Sequence, residues 1–288
     1  MKLALGTVQF GLPYGVANQT GQVSRTEAEA ILRDALIAGF DTLDTAIAYG
    51  ESEQRLGEIG VGRWQVVSKL PAIPEACTDV AAWAQKSVMD SLMRLKIPKL
   101  HGLLLHCSQQ LLGKQGEVLY GALLALKEQG AVEKIGVSIY DPQELDALGS
   151  RFRCDLVQAP FNILDRRLAS SGWLARLHQS GTEVHVRSIF LQGLLLMEAT
   201  KRPAMFNRWQ PLWDHWHRWL SEQALTPLQA CLGFAMSQPE IDRVVVGIDS
   251  LKQLQEIMSA VETKIAPVPQ SLVTEDVQLL NPSNWQTQ

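Results

Sequence analysis

The sequence predicts an α/β protein, a single-domain (β/α)8 TIM barrel over residues 1–288, and three observations carry that expectation. Eight short β-rich runs alternate with helical patterns from one end to the other, as parallel strands joined by crossover helices require. The 288 residues are 46% hydrophobic, enough to bury a full core. A rule of about 150 residues per domain would suggest two units, yet barrels of about 250 residues fold as one. No linker-like shift in composition and no low-complexity segment divides the chain. An open doubly wound sheet is the rival, but eight near-even repeats favour closure.

The elements follow in order. KLALG (2–6) is the first strand candidate. RTEAEAILRDALIAGF (25–40) is the first clear helix, with Ala28, Ile31, Leu32, Ala35 and Leu36 on one face and Gly39 ending it. DTLDTA (41–46) and WQVVSKL (64–70) are the next strands, and TDVAAWAQKSVMDSLMRLK (78–96) the next helix. GLLLHC (102–107), KIGVSIY (134–140) and LVQAPF (156–161) continue the strands, with helical LYGALLALKEQG (119–130) and SGWLARLHQSG (171–181) interleaved. EVHVRSIF (183–190) and RVVVGI (243–248) complete the eight, separated by a long stretch at 198–222 and the helix TPLQACLGFAMSQP (226–239). The tail from about 267 lacks periodicity and is expected to pack over one barrel end.

Charge and composition exclude several partners. Net charge is −4 with no long block of one sign, so the basic stripe that nucleic-acid binding needs is missing. The longest apolar runs, such as GALLAL (121–126), fall far short of the roughly 18 residues that span a membrane. MKLALGTVQFG reads as a strand ending in glycine rather than a signal peptide. Cys77, Cys107, Cys154 and Cys231 are scattered, with no CxxC pair and no disulfide framework. A cytoplasmic protein is the expectation.

Asp44, Tyr49, Lys69 and His106 each stand at or just past the end of an apolar run. Singly, each has a structural explanation: an ion pair, a packing tyrosine, a satisfied core histidine. Jointly they fall at the same end of three successive strands, where a parallel barrel builds its active site. Hydride delivery to a carbonyl carbon makes an alkoxide that must be protonated as it forms. A tyrosine hydroxyl ionises near pH 10, so it is a sluggish acid unless nearby positive charge stabilises the phenolate. Lys69 supplies that charge in this reading, Asp44 holds the ammonium, and His106 donates a hydrogen bond to the substrate oxygen.

GFDTLDTAIAYGESEQRLGE (39–58), with VSKL, LLLHC, KIGVS and VQAPFNILDRR (157–167), resembles the aldo-keto reductase family. The resemblance runs from the first strand to the eighth. It implies a (β/α)8 barrel that uses NADPH or NADH to reduce an aldehyde or ketone through an Asp/Tyr/Lys/His tetrad, filled here by Asp44, Tyr49, Lys69 and His106. It also implies a small-molecule carbonyl substrate and, commonly, a monomer. By the same resemblance Gly6 and Thr7 line the nicotinamide end beside Asp44, and Ser138 and Gln158 bond the carboxamide. Ile139 stands where relatives often have asparagine. Arg187 stands where they usually have a stacking aromatic residue. A guanidinium there can stack, can grip an acidic substrate, or can pair with a loop carboxylate. Ser188, Phe190, Gln192 and Gly193 border the pyrophosphate.

VVGIDSLKQLQEI (245–257) resembles the last cofactor segment, with Gly247, Asp249, Ser250 and Gln253 as contacts. Ser250 is expected to cap a helix whose N-terminus faces phosphate. Asp249 occupies a position that is often basic, with Lys252 the nearby cation. A carboxylate repels a 2′-phosphate yet accepts a hydrogen bond from a free ribose hydroxyl, so NADH is expected to be tolerated. No GxGxxG follows a strand, which leaves a Rossmann site unsupported.

Weaker signals complete the reading. His215 and His217 are two apart on a helical pattern and point away from each other, which does not make a metal site. Trp209, Trp213, Trp216 and Leu220 recur at helical spacing as a core stripe. Cys107 is expected to point into the barrel wall away from the pocket. Arg166 and Arg167, with Arg187, suggest a polar or anionic, perhaps sugar-derived, carbonyl compound. Loops 107–117 and 193–222 and the tail are expected to shape the substrate pocket. Two alternatives remain: a cofactor-binding sensor or regulatory barrel with little turnover, and an unrelated phosphate-binding barrel lyase or isomerase.

Overall fold

A computed structural model describes residues 1–18, 21–149 and 151–285. Strands β1 (Leu3–Gly6), β2 (Thr42–Asp44), β3 (Gln65–Leu70), β4 (Leu100–Leu105), β5 (Val132–Ser138), β6 (Leu156–Pro160), β7 (Glu183–Arg187) and β8 (Arg243–Gly247) lie within three residues of the runs expected. Each pairs in parallel with the next, and β8 closes on β1 through Leu3↔Val244 to Gly6↔Gly247. The barrel is closed, and the open-sheet rival is excluded.

Helices α1 (Arg25–Ile37), α2 (Ser52–Ile59), α3 (Val80–Leu95), α4 (Gly116–Glu128), α5 (Gln143–Leu148), α6 (Trp173–Gln179), α7 (Gln210–Glu222), α8 (Pro227–Met236) and α9 (Leu251–Ala260) form the outer layer. Their ends follow capping chemistry. Asp79 accepts from the Ala82 N–H at 2.9 Å, and Thr226 and Gln229 close a reciprocal capping box on α8. Of the expected stripe, Trp213, Trp216 and Leu220 are buried core, while Trp209 lies half-buried ahead of α7, and the Trp213 indole donates to Phe206 O at 2.9 Å. The tail packs against this region, with Trp285 edge-on to Phe206 and the Thr274 N–H bonded to Leu164 O.

Strand register sorts the side chains onto two faces. Outward residues such as Leu5, Leu43, Leu103, Val137, Val157 and Val186 join one large apolar cluster with the helices. Burying such a side chain fully contributes about 1.5–3 kcal/mol. Inside the barrel Val67, Leu104 and Leu156 form a separate small plug. Below it, toward the strand N-termini, Glu183 takes hydrogen bonds from Lys134, His101 and His185. Above it, at the strand C-termini, the inward positions are polar: Asp44, Lys69, Ser138, Gln158 and Arg187. The apolar plug therefore separates a structural ion network from a polar mouth. Among the described residues no helix is long and apolar enough to cross a membrane.

Candidate active site

Asp44 ends β2, Lys69 stands next to the end of β3, His106 follows β4, and Tyr49 lies in the loop after β2. The four converge on one wall of a cavity of about 540 Å³ at the C-terminal mouth. Lys69 Nζ donates to Asp44 Oδ1 at 2.7 Å and to Thr45 O at 2.9 Å. Its ammonium lies 5.1 Å from the centroid of the Tyr49 ring, and the His106 ring meets that ring edge-on at 5.9 Å. Burial works against the Lys69 charge, but Asp44 and Tyr49 hold its pKa above the ordinary lysine value. Burial, then the Lys69 and Arg187 charges, push His106 down to about 4, so the imidazole is neutral at physiological pH. A neutral imidazole can donate one N–H and adds no charge to compete with the lysine.

The loop that carries Tyr49 is fixed by close backbone approach. A Cβ on Gly11 would lie 1.8 Å from Tyr49 O, and Gly50, with φ of 54°, sits against Gly11 O. Behind the loop, Ser52 donates to Thr7 O at 2.9 Å and Glu53 accepts from Ser68, Ser91 and both forks of Arg94. The Ser-Glu pair of the AYGESE motif is thus scaffold: it ties α2 to β1, β3 and α3 and so positions Tyr49.

Most of the expected cofactor residues line the same cavity. Gly6, Thr7, Ser138, Arg187, Ser188, Phe190, Gln192, Gly193, Gly247, Asp249 and Gln253 all do. Two do not. Gln158 is wholly buried, and its amide donates to Asp44 Oδ2 at 2.6 Å while Ser138 Oγ donates to its carbonyl at 3.1 Å. It braces the Asp44 carboxylate from behind. Ser250 caps α9 as expected, accepting from the Gln253 N–H at 3.3 Å, and does not itself line the cavity. The segment after β7 is strained: Ser188, Leu191 and Gln192 have φ of 60°, 48° and 54° without being glycine. Such strain concentrates where function demands a fixed backbone.

Arg187 lies half-buried in the cavity, stacked 4.5 Å from the Tyr140 ring centroid. It donates to Ile139 O at 3.0 Å and Ser188 Oγ at 3.2 Å. Among the described residues no carboxylate pairs with it, so the loop-carboxylate alternative falls.

Several expectations are corrected. Cys107 is exposed, because the chain leaves the barrel wall directly after His106 and turns into a short 3-10 helix. Arg166 and Arg167 do not reach the cavity: Arg166 bonds the Val268 and Pro269 carbonyls, and Arg167 pairs with Asp165 and Asp141. Their long side chains lie along the rim and pin the tail and loops. Of the loops expected to shape the pocket, 193–222 supplies Gly193, Leu196 and Met197, while 107–117 and the tail supply none. Their place is taken by Tyr14, Gly15, Ala17 and Asn18 after β1, with Gln192 Nε2 donating to Tyr14 Oη at 3.1 Å. His215 is exposed and His217 lies 3.0 Å from Arg202, partners that the WDHWH run did not suggest.

Sequence reading also missed Gln9, Glu256 and Ile257 in the cavity lining, and Glu27 beside it. The Ser24–Glu27 spacing is that of a capping box, which would send the carboxylate back to Ser24. Instead Glu27 Oε1 accepts from the Leu251 N–H at 2.8 Å, across to the N-terminus of α9.

A closed parallel barrel with a buried lysine–carboxylate pair beneath a tyrosine at its C-terminal mouth defines a class of enzyme active site. The chain belongs to the aldo/keto reductase family, whose sequence model matches residues 2–270. An aldo-keto reductase from Mycolicibacterium vanbaalenii is 34% identical over 135 residues, 44% of this chain and 45% of that protein. The chain thus matches less than half the length of that curated relative. Among solved structures, the holo form of an aldo-keto reductase from Bacillus halodurans superposes with a TM-score of 0.75 at 20% identity, covering 96% of this chain and 94% of that one. A Pseudomonas aeruginosa structure assigned to the aldo-keto reductases gives a TM-score of 0.66 at 24% identity, covering 90% and 89%. At these identities the structures speak to the fold.

The family uses NAD(P)H, and the cavity fits such a group. Two buried oxygens at its edge, Gln9 Oε1 and Asp249 Oδ1, lack any partner and await donors. Gly247 lets the Gln9 amide pack against its backbone, since a Cβ there would stand 2.1 Å from the amide nitrogen.

Proposed function

We propose that this protein is a carbonyl reductase that converts an aldehyde or ketone to an alcohol with NAD(P)H, with Tyr49 as general acid. The observation that supports it most strongly is the buried Lys69–Asp44 pair, held 2.7 Å apart directly beneath the Tyr49 ring. The bound nicotinamide supplies the hydride. The protein's own residues then handle the charge that develops on the carbonyl oxygen. Neutral His106 donates a hydrogen bond to that oxygen and orients it toward Tyr49. Tyr49 passes its proton to the nascent alkoxide, and the Lys69 ammonium stabilises the phenolate left behind. Asp44, braced by Gln158, keeps that ammonium in place. Arg187, a cation in the cavity with no carboxylate partner among the described residues, favours a carbonyl compound that carries a polar or anionic group.

The test is a panel of aldehydes and ketones, neutral and carboxylated, offered to the purified protein with reduced nicotinamide dinucleotide. Oxidation of the dinucleotide coupled to alcohol formation, fastest for the carboxylated members, is the expected result. Absence of turnover across the panel despite tight dinucleotide binding would contradict the reductase reading.

A further inference from the structure

The end of the cavity away from the tetrad is acidic, and two N–H groups of its helix N-terminus are already taken. This inference rests on the dinucleotide reading above. If the hydride-bearing ring sits at Tyr49, the adenosine must occupy the remaining stretch of the cavity, beside Asp249, Gln253 and Glu256. A helix N-terminus such as that of α9 offers free N–H groups to a phosphate. Here two of them are spoken for. The Leu251 N–H donates to the Glu27 carboxylate at 2.8 Å, and the Gln253 N–H to Ser250 Oγ at 3.3 Å. The Asp249 N–H, just ahead of the helix, is taken by Gln253 Oε1 at 2.7 Å.

Among the described residues that line the cavity, no cation stands beside these carboxylates. Lys252 is turned outward, 85% exposed, with its ammonium 3.8 Å from Glu256. Lys69 and Arg187, the lysine and arginine that line the cavity, both stand at its catalytic end. A phosphate on the adenosine ribose would bring about two further negative charges to Asp249, Glu256 and Glu27, with no Arg or Lys of the described cavity lining beside it and only the outward Lys252 nearby. A free ribose hydroxyl meets the opposite situation. Asp249 Oδ1 is buried and without a partner, so a hydroxyl donor placed there relieves an unmet acceptor.

We propose that this protein selects a dinucleotide with an unphosphorylated adenosine ribose, NADH over NADPH. Glu27 sets that preference by occupying the α9 N-terminus, and Asp249 by accepting from the ribose. Glu27 lies 224 residues before its partner in the chain, outside the segment that carries the other contacts.

The experiment is equilibrium titration of the intact protein with NADH and NADPH in parallel, read by quenching of the eight tryptophans. NADH should bind at least roughly tenfold more tightly, the scale that like-charge juxtaposition produces. Glu27→Gln keeps an acceptor for the Leu251 N–H but removes the charge, and should narrow the ratio by improving NADPH. Asp249→Asn should narrow it from both sides. Circular dichroism of each variant checks that the fold is kept. NADPH binding as tightly as NADH to the unaltered protein overturns the proposal, as does an unchanged ratio in both variants. Binding of neither dinucleotide overturns the reductase reading itself.

Discussion

Replacing Lys69 by methionine tests the core of the site in a way that can be worked through quantitatively. The side chain is 1% exposed, and its ammonium makes a 2.7 Å bond to Asp44 and a 2.9 Å bond to Thr45 O. Methionine fills much of the volume but leaves the Asp44 carboxylate buried, with only the Gln158 amide at 2.6 Å to hold it. Removing one partner of a buried pair costs about 3–5 kcal/mol, most of it the penalty of the stranded charge. The folded-state pKa of Lys69 is raised, so its contribution is complete below the ordinary lysine value of 10.5 and is lost only as the solution becomes more alkaline. At neutral pH the full effect should therefore appear. Urea denaturation followed by tryptophan fluorescence, with coincident circular dichroism to check two-state behaviour, measures it. The double variant Lys69→Met/Asp44→Asn carries no stranded charge and should regain at least about 1 kcal/mol over the single variant. A loss below about 1 kcal/mol in Lys69→Met, or additive losses in the double, would refute the reasoning.

Other expectations follow from the same geometry. His106 resists protonation down to about 4, below its ordinary 6.5, so it makes stability fall as pH drops between those values; His106→Gln should flatten that stretch of the stability–pH curve. Glu183 has a strongly lowered pKa: burial opposes its ionisation, but hydrogen bonds from His101, His185 and Lys134 more than compensate. Its contribution is complete above the ordinary carboxylate value of 4.5 and lost in acid, so Glu183→Gln should destabilise at neutral pH and progressively less toward low pH. Gly11→Ala would force a methyl to within 1.8 Å of Tyr49 O. The loop must shift, and a displacement of about 1 Å at a reacting group costs on the order of 100-fold in kcat, read in a steady-state assay with dinucleotide binding kept.

What the sequence made legible was periodic or local. Apolar runs ending at or near Asp44, Lys69 and His106 located the mouth of the barrel, and the helical tryptophan stripe of α7 read as core. What it hid was long-range. Gln158 looked like a carboxamide contact, because nothing near it in the chain reveals Asp44, 114 residues earlier. Glu27 drew no attention for the same reason: its partner, the Leu251 N–H, lies 224 residues later. Arg166 and Arg167 looked like substrate cations because charge is visible in a sequence and direction is not. The short helix α2 escaped notice since its inward residues, Ser52 and Glu53, are polar and satisfied by hydrogen bonds rather than by an apolar stripe.

The assignment of the acid is the central claim, and one variant tests it directly. Tyr49→Phe removes a single hydroxyl, leaving the Lys69–Asp44 pair and the cavity in place. The dinucleotide affinity of this variant should match that of the unaltered protein, while single-turnover reduction of a carbonyl substrate falls by about 100-fold or more. A Tyr49→Phe protein that binds dinucleotide normally and reduces substrate at a near-normal rate would show that another group delivers the proton.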